Sequence, residues 1–198
     1  MGKAVVSSIL DTKTNSDHRF IRDLTALDAV VGRLKKKGKK IVLTQGVWDL
    51  IHEGHAKYLE AAKAYGDVLV VGLDSDALTR MRKGPNRPIV PERERVEMLT
   101  HLRHVDIVTI RDVDHDIGHL VRLVKPDVLV TSTSTADFKE DLKAGTYRAV
   151  CKKIVTLPPQ ATTHTSARIR NLTIEGAEKL ADEVAKLTKD FIKRIRTV

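Results

Sequence analysis

Two histidines three residues apart, with a glycine between them, mark the stretch of this chain best suited to chemistry. It reads Thr44-Gln45-Gly46-Val47-Trp48-Asp49-Leu50-Ile51-His52-Glu53-Gly54-His55. An apolar run, Ile41-Val42-Leu43, precedes it and reads as a buried strand; Tyr58, Leu59, Ala62 and Ala64 follow in a helical pattern. His52 and His55 therefore stand where a strand hands over to a helix. Free backbone N–H groups and the positive end of the helix dipole collect at such a place, so it suits phosphate. Two imidazoles aimed at the same spot would add side-chain donors. A bare His-x-Gly-His reads as two surface histidines on a loop. The strand before it, with Gly46 and Asp49 upstream, favours a phosphate site instead.

Two further stretches carry chemistry. After Pro158-Pro159 comes Gln160-Ala161-Thr162-Thr163-His164-Thr165-Ser166-Ala167-Arg168-Ile169-Arg170. Hydroxyls directly before a helix act as N-caps, which suits Thr163 or Thr165. The same hydroxyls at a helix start would also cradle a second phosphate, and both readings hold together. Between the two stretches lies Arg80-Met81-Arg82-Lys83-Gly84-Pro85-Asn86-Arg87-Pro88, where four cations alternate with Gly and Pro. That pattern reads as a loop.

The elements that must position these residues alternate. Residues 1–23 form a lead-in, with one short extended piece at Ala4–Ile9. Leu24, Leu27, Val30, Val31 and Leu34 recur at helical spacing, and Lys35-Lys36-Lys37-Gly38 ends that helix as a solvated terminus. Strands are expected at Lys40–Leu43, Val68–Leu73, Val105–Ile110, Asp127–Val130 and Ile154–Leu157. Val68–Leu73 is apolar on both faces, as in a parallel sheet covered by helices, and Asp74-Ser75-Asp76 lies at its carboxyl edge, where such sheets bind ligands. Pro91 opens a helix with Val96, Met98, Leu99 and Leu102 inward, and Asp116–Val124 forms another, stopped by Lys125-Pro126. The alternation implies an α/β fold with a doubly wound, parallel, five-stranded sheet. Ala177, Leu180, Ala181, Val184, Leu187, Phe191, Ile192 and Ile195 then mark a C-terminal amphipathic helix within residues 173–198.

The composition sets limits. A chain of 198 residues makes one domain the default. No apolar run approaches the roughly 20 residues that span a bilayer, and the N-terminus has no signal-type segment, so the expectation is a cytoplasmic chain with no membrane partner. The single cysteine, Cys151, excludes an intrachain disulfide framework and fits a reducing compartment. A net charge of +9 would attract nucleic acid or small phosphorylated molecules. With three Phe, three Tyr and one Trp there is no evident base-stacking platform, which favours the small anions.

The spacing Gly-x-(aromatic)-Asp-x-x-His-x-Gly-His, met here by Gly46, Trp48, Asp49, His52, Gly54 and His55, resembles the first signature of the cytidylyltransferase-like nucleotidyltransferases. Trp48 stands where that family usually has Phe. The resemblance implies a Rossmann-like fold and transfer of a nucleotidyl group from ATP or CTP to a phosphorylated alcohol or sugar, with release of pyrophosphate. It covers residues 24–172, so the C-terminal helix is an extension. It is similar in particular to the adenylyltransferase domain that makes ADP-heptose and to the glycerol-phosphate cytidylyltransferases. That group's Ser-Asp pair, basic stretch, Lys-Gly and Arg-Pro match Ser75-Asp76, Arg80, Lys83-Gly84 and Arg87-Pro88; Arg95 and Val105-Asp106 follow in order. The family's last signature, Ser-Thr-(Ser/Thr)-x-x-Ile, maps onto His164-Thr165-Ser166-Ala167-Arg168-Ile169. Two departures matter. Thr131-Ser132-Thr133-Ser134-Thr135-Ala136-Asp137 replaces the Gly-(Gly/Asp)-Asp that helps hold the acceptor, which implies a different acceptor. His164 replaces a Ser, and Pro159 stands where the cytidylyltransferases carry Arg, which favours ATP over CTP.

By this resemblance His52, His55 and Lys83 are catalytic. Gly46, Val47, Trp48, Gly54, Thr163, His164, Thr165 and Ser166 bind the nucleotide. Asp49, Asp76, Arg80, Arg82, Arg95 and Ser132 serve the phosphates or the acceptor. Asp49 orients the histidine turn; Arg95 holds a phosphate or braces the basic loop, with a surface salt bridge as the plain alternative. Mg²⁺ is expected with the triphosphate and not in a protein cage. His101, His104, His115 and His119 share no motif, and a zinc pair at His115 and His119 would lack a third ligand. The partners implied are a nucleoside triphosphate, a small phosphorylated acceptor and a second copy of the chain. The competing readings are a non-catalytic nucleotide-binding module of the same fold and a nucleic-acid-binding protein supported by charge alone.

Overall fold

The computed structural model describes residues 16–133, 147, 149–161 and 165–196. The expected extended piece at Ala4–Ile9 lies outside them. Contacts divide the chain into two units, residues 1–161 and 162–198. In chain order the first unit contains α1 (Ser16–Arg19), α2 (Leu24–Lys36), β1 (Ile41–Gly46), α3 (Glu53–Lys63), β2 (Val68–Asp74), α4 (Asp76–Lys83), α5 (Glu92–His101), β3 (Ile107–Arg111), α6 (His119–Val124), β4 (Val128–Ser132) and β5 (Lys153–Leu157). The described residues of the second unit form one long helix, α7 (Thr165–Arg196), which begins well before the amphipathic stretch that marks it in the sequence.

Local chemistry accounts for these boundaries. The Asp23 carboxylate caps α2 by accepting from the N–H groups of Thr25 and Ala26. Leu27, Val30, Val31 and Leu34 form its buried stripe, and the chain leaves it through Gly38, whose φ of +72° glycine adopts without strain. All seven residues of β2 are buried, as two covered faces require. The expected loop at Arg80–Pro88 is half helix. Ser75 caps α4 through Leu78 N–H, so Arg80, Arg82 and Lys83 ride its last turn, where cations meet the negative end of the dipole. In α5 the inward residues are Arg95, Val96, Leu99 and Thr100; Met98, expected inward, falls out of phase with that stripe and is exposed. The helix expected at Asp116–Val124 starts at His119, because the Asp116 carboxylate binds Gly118 N–H in the preceding turn. The strand limits otherwise move by one to three residues, most at β1, which runs on past Leu43 to Gly46.

The five strands run parallel in the order β3-β2-β1-β4-β5. Helices α2 and α6 cover one face, packing Leu27, Leu34 and Leu120 on Ile41, Leu43 and Val68. Helices α3 and α5 cover the other, packing Leu59, Val96 and Leu99 against Val42, Leu69 and Val71. The topological switch point falls between β1 and β4. There β1 pairs with β2 along its whole length, but with β4 only at Val42 and Leu43. The two central strands part toward their carboxyl ends.

Leu59 is 1% exposed and joins α3 to the sheet. Leu59→Ala should lower unfolding free energy by about 2–5 kcal/mol in urea titration, whereas a surface leucine would move it by less than about 0.5 kcal/mol.

Candidate active site

The histidine turn leaves β1 through Gly46. A methyl group at Gly46 would lie 3.3 Å from the Trp48 ring, so glycine lets the indole fold back on the strand end. Trp48 is buried and donates from Nε1 to the Gly72 carbonyl of β2 at 3.2 Å. It also meets the His55 ring edge-on, at 5.6 Å between centroids. Trp48 and Leu50 hold φ of 55° and 47°, a left-handed conformation costly for side-chain-bearing residues. His52 then caps α3. Its Nδ1 accepts from Gly54 N–H at 3.0 Å, which leaves the ring proton on Nε2 as a donor. The His52 and His55 rings lie 4.2 Å apart. A Cβ at Gly54 would sit 2.9 Å from His52 Cε1 and 3.0 Å from Ala161 Cβ, so only glycine keeps the two imidazoles together here. Ala161 is the last described residue before the hydroxyl-rich stretch.

A network of ion pairs holds the turn against the basic segment. Asp49 is 2% exposed, and its carboxylate accepts from the backbone N–H groups of Ile89 and Val90 at 2.9 Å each and pairs with Arg87 at 2.8 Å. It positions the turn and the loop together. Arg95 is 1% exposed, which overturns the surface salt bridge weighed for it. Its guanidinium donates to the carbonyls of Val90, Val47 and Asp74 and to the Asp76 carboxylate. Those donors make it a brace across three carboxyl-edge segments, and Asp76 is its counter-ion. Asp74, at the end of β2, is fully buried between Arg82 and Arg111. Arg111 was not singled out in the sequence; its signal is a cation continuous with the apolar strand Ile107–Ile110, level with Asp74 on the neighbouring strand.

Charge at this edge is unevenly paired. Desolvation, then the guanidinium groups of Arg87 and Arg82, push the Lys83 ammonium below the ordinary lysine value; Asp74 and Asp49 oppose the shift. Three cations thus crowd two carboxylates that are already shared, a field that favours an added anion. Arg80 is exposed on the same helix, and Ser132 ends β4 half-buried. Thr163 and His164, with Ser134–Asp137 of the acceptor loop, lie outside the described residues; Thr165 and Ser166 open α7. Elsewhere His101 pairs with Glu97 and His104 with Glu60, while the His115 and His119 rings stack at 4.2 Å. Among the described residues no group of three or more His, Cys, Asp or Glu could hold a metal. Cys151 is buried, and its thiol donates to the Tyr147 carbonyl.

Removing the brace should cost stability and not merely ligand affinity. Arg95→Leu leaves three carbonyls and a carboxylate without their donor and should destabilise the chain by about 3–5 kcal/mol in thermal or urea unfolding; an unchanged melting temperature would refute the bracing role. Lys83 supplies a pH test. Its folded pKa is lowered, so the unfolded chain holds this proton more tightly, and stability rises with pH from the folded value up to about 10.5. Lys83→Met should flatten that slope.

Comparison with known proteins agrees with this geometry. The cytidylyltransferase-like family model matches residues 43–172, more than half of the chain. Bifunctional protein HldE of Desulfatibacillum aliphaticivorans is 39% identical over 152 residues, covering 75% of this chain and 30% of that protein. HldE of Geobacter metallireducens is 45% identical over 126 residues, covering 64% of this chain and 25% of that protein. The chain thus spans less than a third of the length of either relative. The crystal structure of a lipopolysaccharide core biosynthesis protein from Thermoplasma volcanium GSS1 matches with a TM-score of 0.55 at 29% identity, over 62% of this chain and 98% of that one. Pantoate-beta-alanine ligase from Francisella tularensis matches with a TM-score of 0.55 at 18% identity, over 82% and 77%, and shares the fold. From the strand that feeds the histidine turn to the early turns of the last helix, the chain belongs to the cytidylyltransferase-like family.

Proposed function

We propose that the chain is a nucleotidyltransferase that moves AMP from ATP to a small sugar phosphate and releases pyrophosphate. The observation that carries this is the histidine pair at the start of α3, on the same carboxyl edge of the sheet as the cations gathered around Lys83 at the end of α4. The HldE relatives and the lipopolysaccharide core biosynthesis protein support a sugar phosphate as acceptor.

In the reaction an acceptor phosphate oxygen attacks the α-phosphorus, and the bond from that phosphorus to the bridging oxygen of pyrophosphate breaks in line. No covalent enzyme intermediate is needed, so catalysis is positioning and charge stabilisation. His52 and His55 would donate to triphosphate oxygens, helped by the dipole of α3. Lys83, with Arg80 and Arg82 beside it, would neutralise charge from the other side. Gly46, Val47 and Gly54 allow the close approach that the nucleotide requires. By the resemblance to the family's last signature, Thr163, His164, Thr165 and Ser166 would grip the β- and γ-phosphates. Ser132 stands at the acceptor end. A protein-held Mg²⁺ does not fit, because Asp49 and Asp74 are taken up by arginines. Mg²⁺ enters with the triphosphate, as part of the substrate, and spreads its charge. No helix among the described residues is long and apolar enough to cross a membrane. A cytoplasmic homodimer, joined through the apolar stripe of Ala177, Leu180, Val184 and Leu187, completes the proposal.

Pyrophosphate release should appear with ATP, Mg²⁺ and a sugar phosphate in a screen of all four triphosphates against phosphorylated sugars and alcohols. His55→Ala should lower kcat about 10²–10³-fold at nearly unchanged melting temperature. Full activity in that variant would dismiss the assignment.

A further inference from the structure

The sheet edge opposite the histidine turn holds a second concentration of charge. A groove of about 890 Å³ opens at the amino ends of β1, β4 and β5. Lys35, Lys39, Lys40, Lys125, Lys152 and Lys153 line it, against one carboxylate, Asp127. Six cations less one anion leave a formal +5, more than half of the chain's net +9. Three lysines have partners, among them Lys153, whose Nζ lies over the Tyr65 ring at 5.5 Å from its centroid. Lys35 Nζ donates to the carbonyls of Val124 and Lys125 at 2.7 and 2.6 Å, closing the end of α6. Lys152 pairs with Asp127 at 2.7 Å, and Asp127 also accepts from Ile41 N–H. Helix dipoles account for Lys35 and Lys125, which stand at the ends of α2 and α6. They do not account for Lys39, Lys40 and Lys153, which come from strand starts. Neither these three nor Lys125 makes an ion pair among the described residues.

The lysines feel one another. Burial holds the Lys35 ammonium below the ordinary lysine value, and Lys125 and Lys152 deepen the shift against the pull of Asp127. Between the lysines the walls are apolar, from Pro126, Val128 and Val150. A concave site of this size suits a small molecule, and its low-polarity walls focus the field of the rim. Lysine is a compact point charge that meets phosphate oxygens from any direction. No aromatic residue lines the groove, so it lacks the stacking surface that single-stranded nucleic acid uses.

We propose that this groove is a second anion site, for a small molecule bearing two or more phosphate groups, independent of the histidine turn. Tripolyphosphate titrated into the ¹⁵N-labelled full chain at low salt tests it. The amides of Gly38, Lys40, Val128 and Cys151 should shift. In Lys39→Gln/Lys40→Gln/Lys153→Gln the groove response should weaken about tenfold, with melting temperature unchanged and any response of residues 52–55 retained. His55→Ala should leave the groove response intact, so failure of the catalytic assignment reads separately. Shifts confined to residues 52–55 and 80–87, or a groove affinity unaffected by the three substitutions, would overturn the proposal. So would a groove that answers a single-stranded 20-nucleotide DNA and not tripolyphosphate.

Discussion

Burying a guanidinium is tolerable only when its donors are spent, and Arg95 spends them on the segments that build the carboxyl edge. Val47 belongs to the histidine turn, Asp74 and Asp76 flank the start of α4, and Val90 ends the basic loop. One side chain from α5 therefore sets the spacing of three loops that share no sequence proximity. Asp49 works in the reverse sense, as an anion that collects donors from the same loop. Together they let a helix start, two strand ends and a loop act as one rigid surface, which positional catalysis needs.

The same edge stores unfavourable terms. Trp48 and Leu50 occupy left-handed backbone, and Lys83 is crowded by like charge. Such terms persist only where the surroundings over-determine them, and the crowding of charge, unlike the backbone strain, is relieved by an added anion. The core behind them is conventional, with every residue of β2 buried and apolar faces on both sides. Stability made in the sheet holds a costly arrangement at its end.

Much of this was legible in the residues. The alternation of apolar runs and helical stripes implied the doubly wound sheet, because period and burial follow from local pattern. The histidine turn was legible because glycine, strand and helix start coincide at it. Arg95 was legible in part: bracing the basic loop was one of the roles its place in the sequence suggested, but its burial was not, since a helical arginine reads as surface until the packing of α5 is known; its i+4 neighbour Leu99 and adjacent Val96 place it inward. The basic stretch misled for a related reason. Gly84 and Pro85 signal a loop, but they lie after the helix end, and the Ser75 cap that starts α4 is several residues upstream. Met98 shows that an apolar residue type does not settle its face. Asp74 with Arg111 depends on register between two strands, which no single strand discloses.

The parting of β1 from β4 has an outcome for recognition. Beyond Leu43 the β1 main chain keeps β2 on one flank and loses β4 on the other. Past that register β4 no longer pairs with β1, and backbone without a strand partner is the kind that can offer donors and acceptors to a bound base or sugar. Selectivity drawn from peptide groups needs no ligand contact from the side chains at Thr44 and Gln45. Thr44 bonds the Tyr58 hydroxyl and Gln45 donates to the Ile117 carbonyl, so those side chains would act on recognition through the strand spacing they hold and not by touching a ligand.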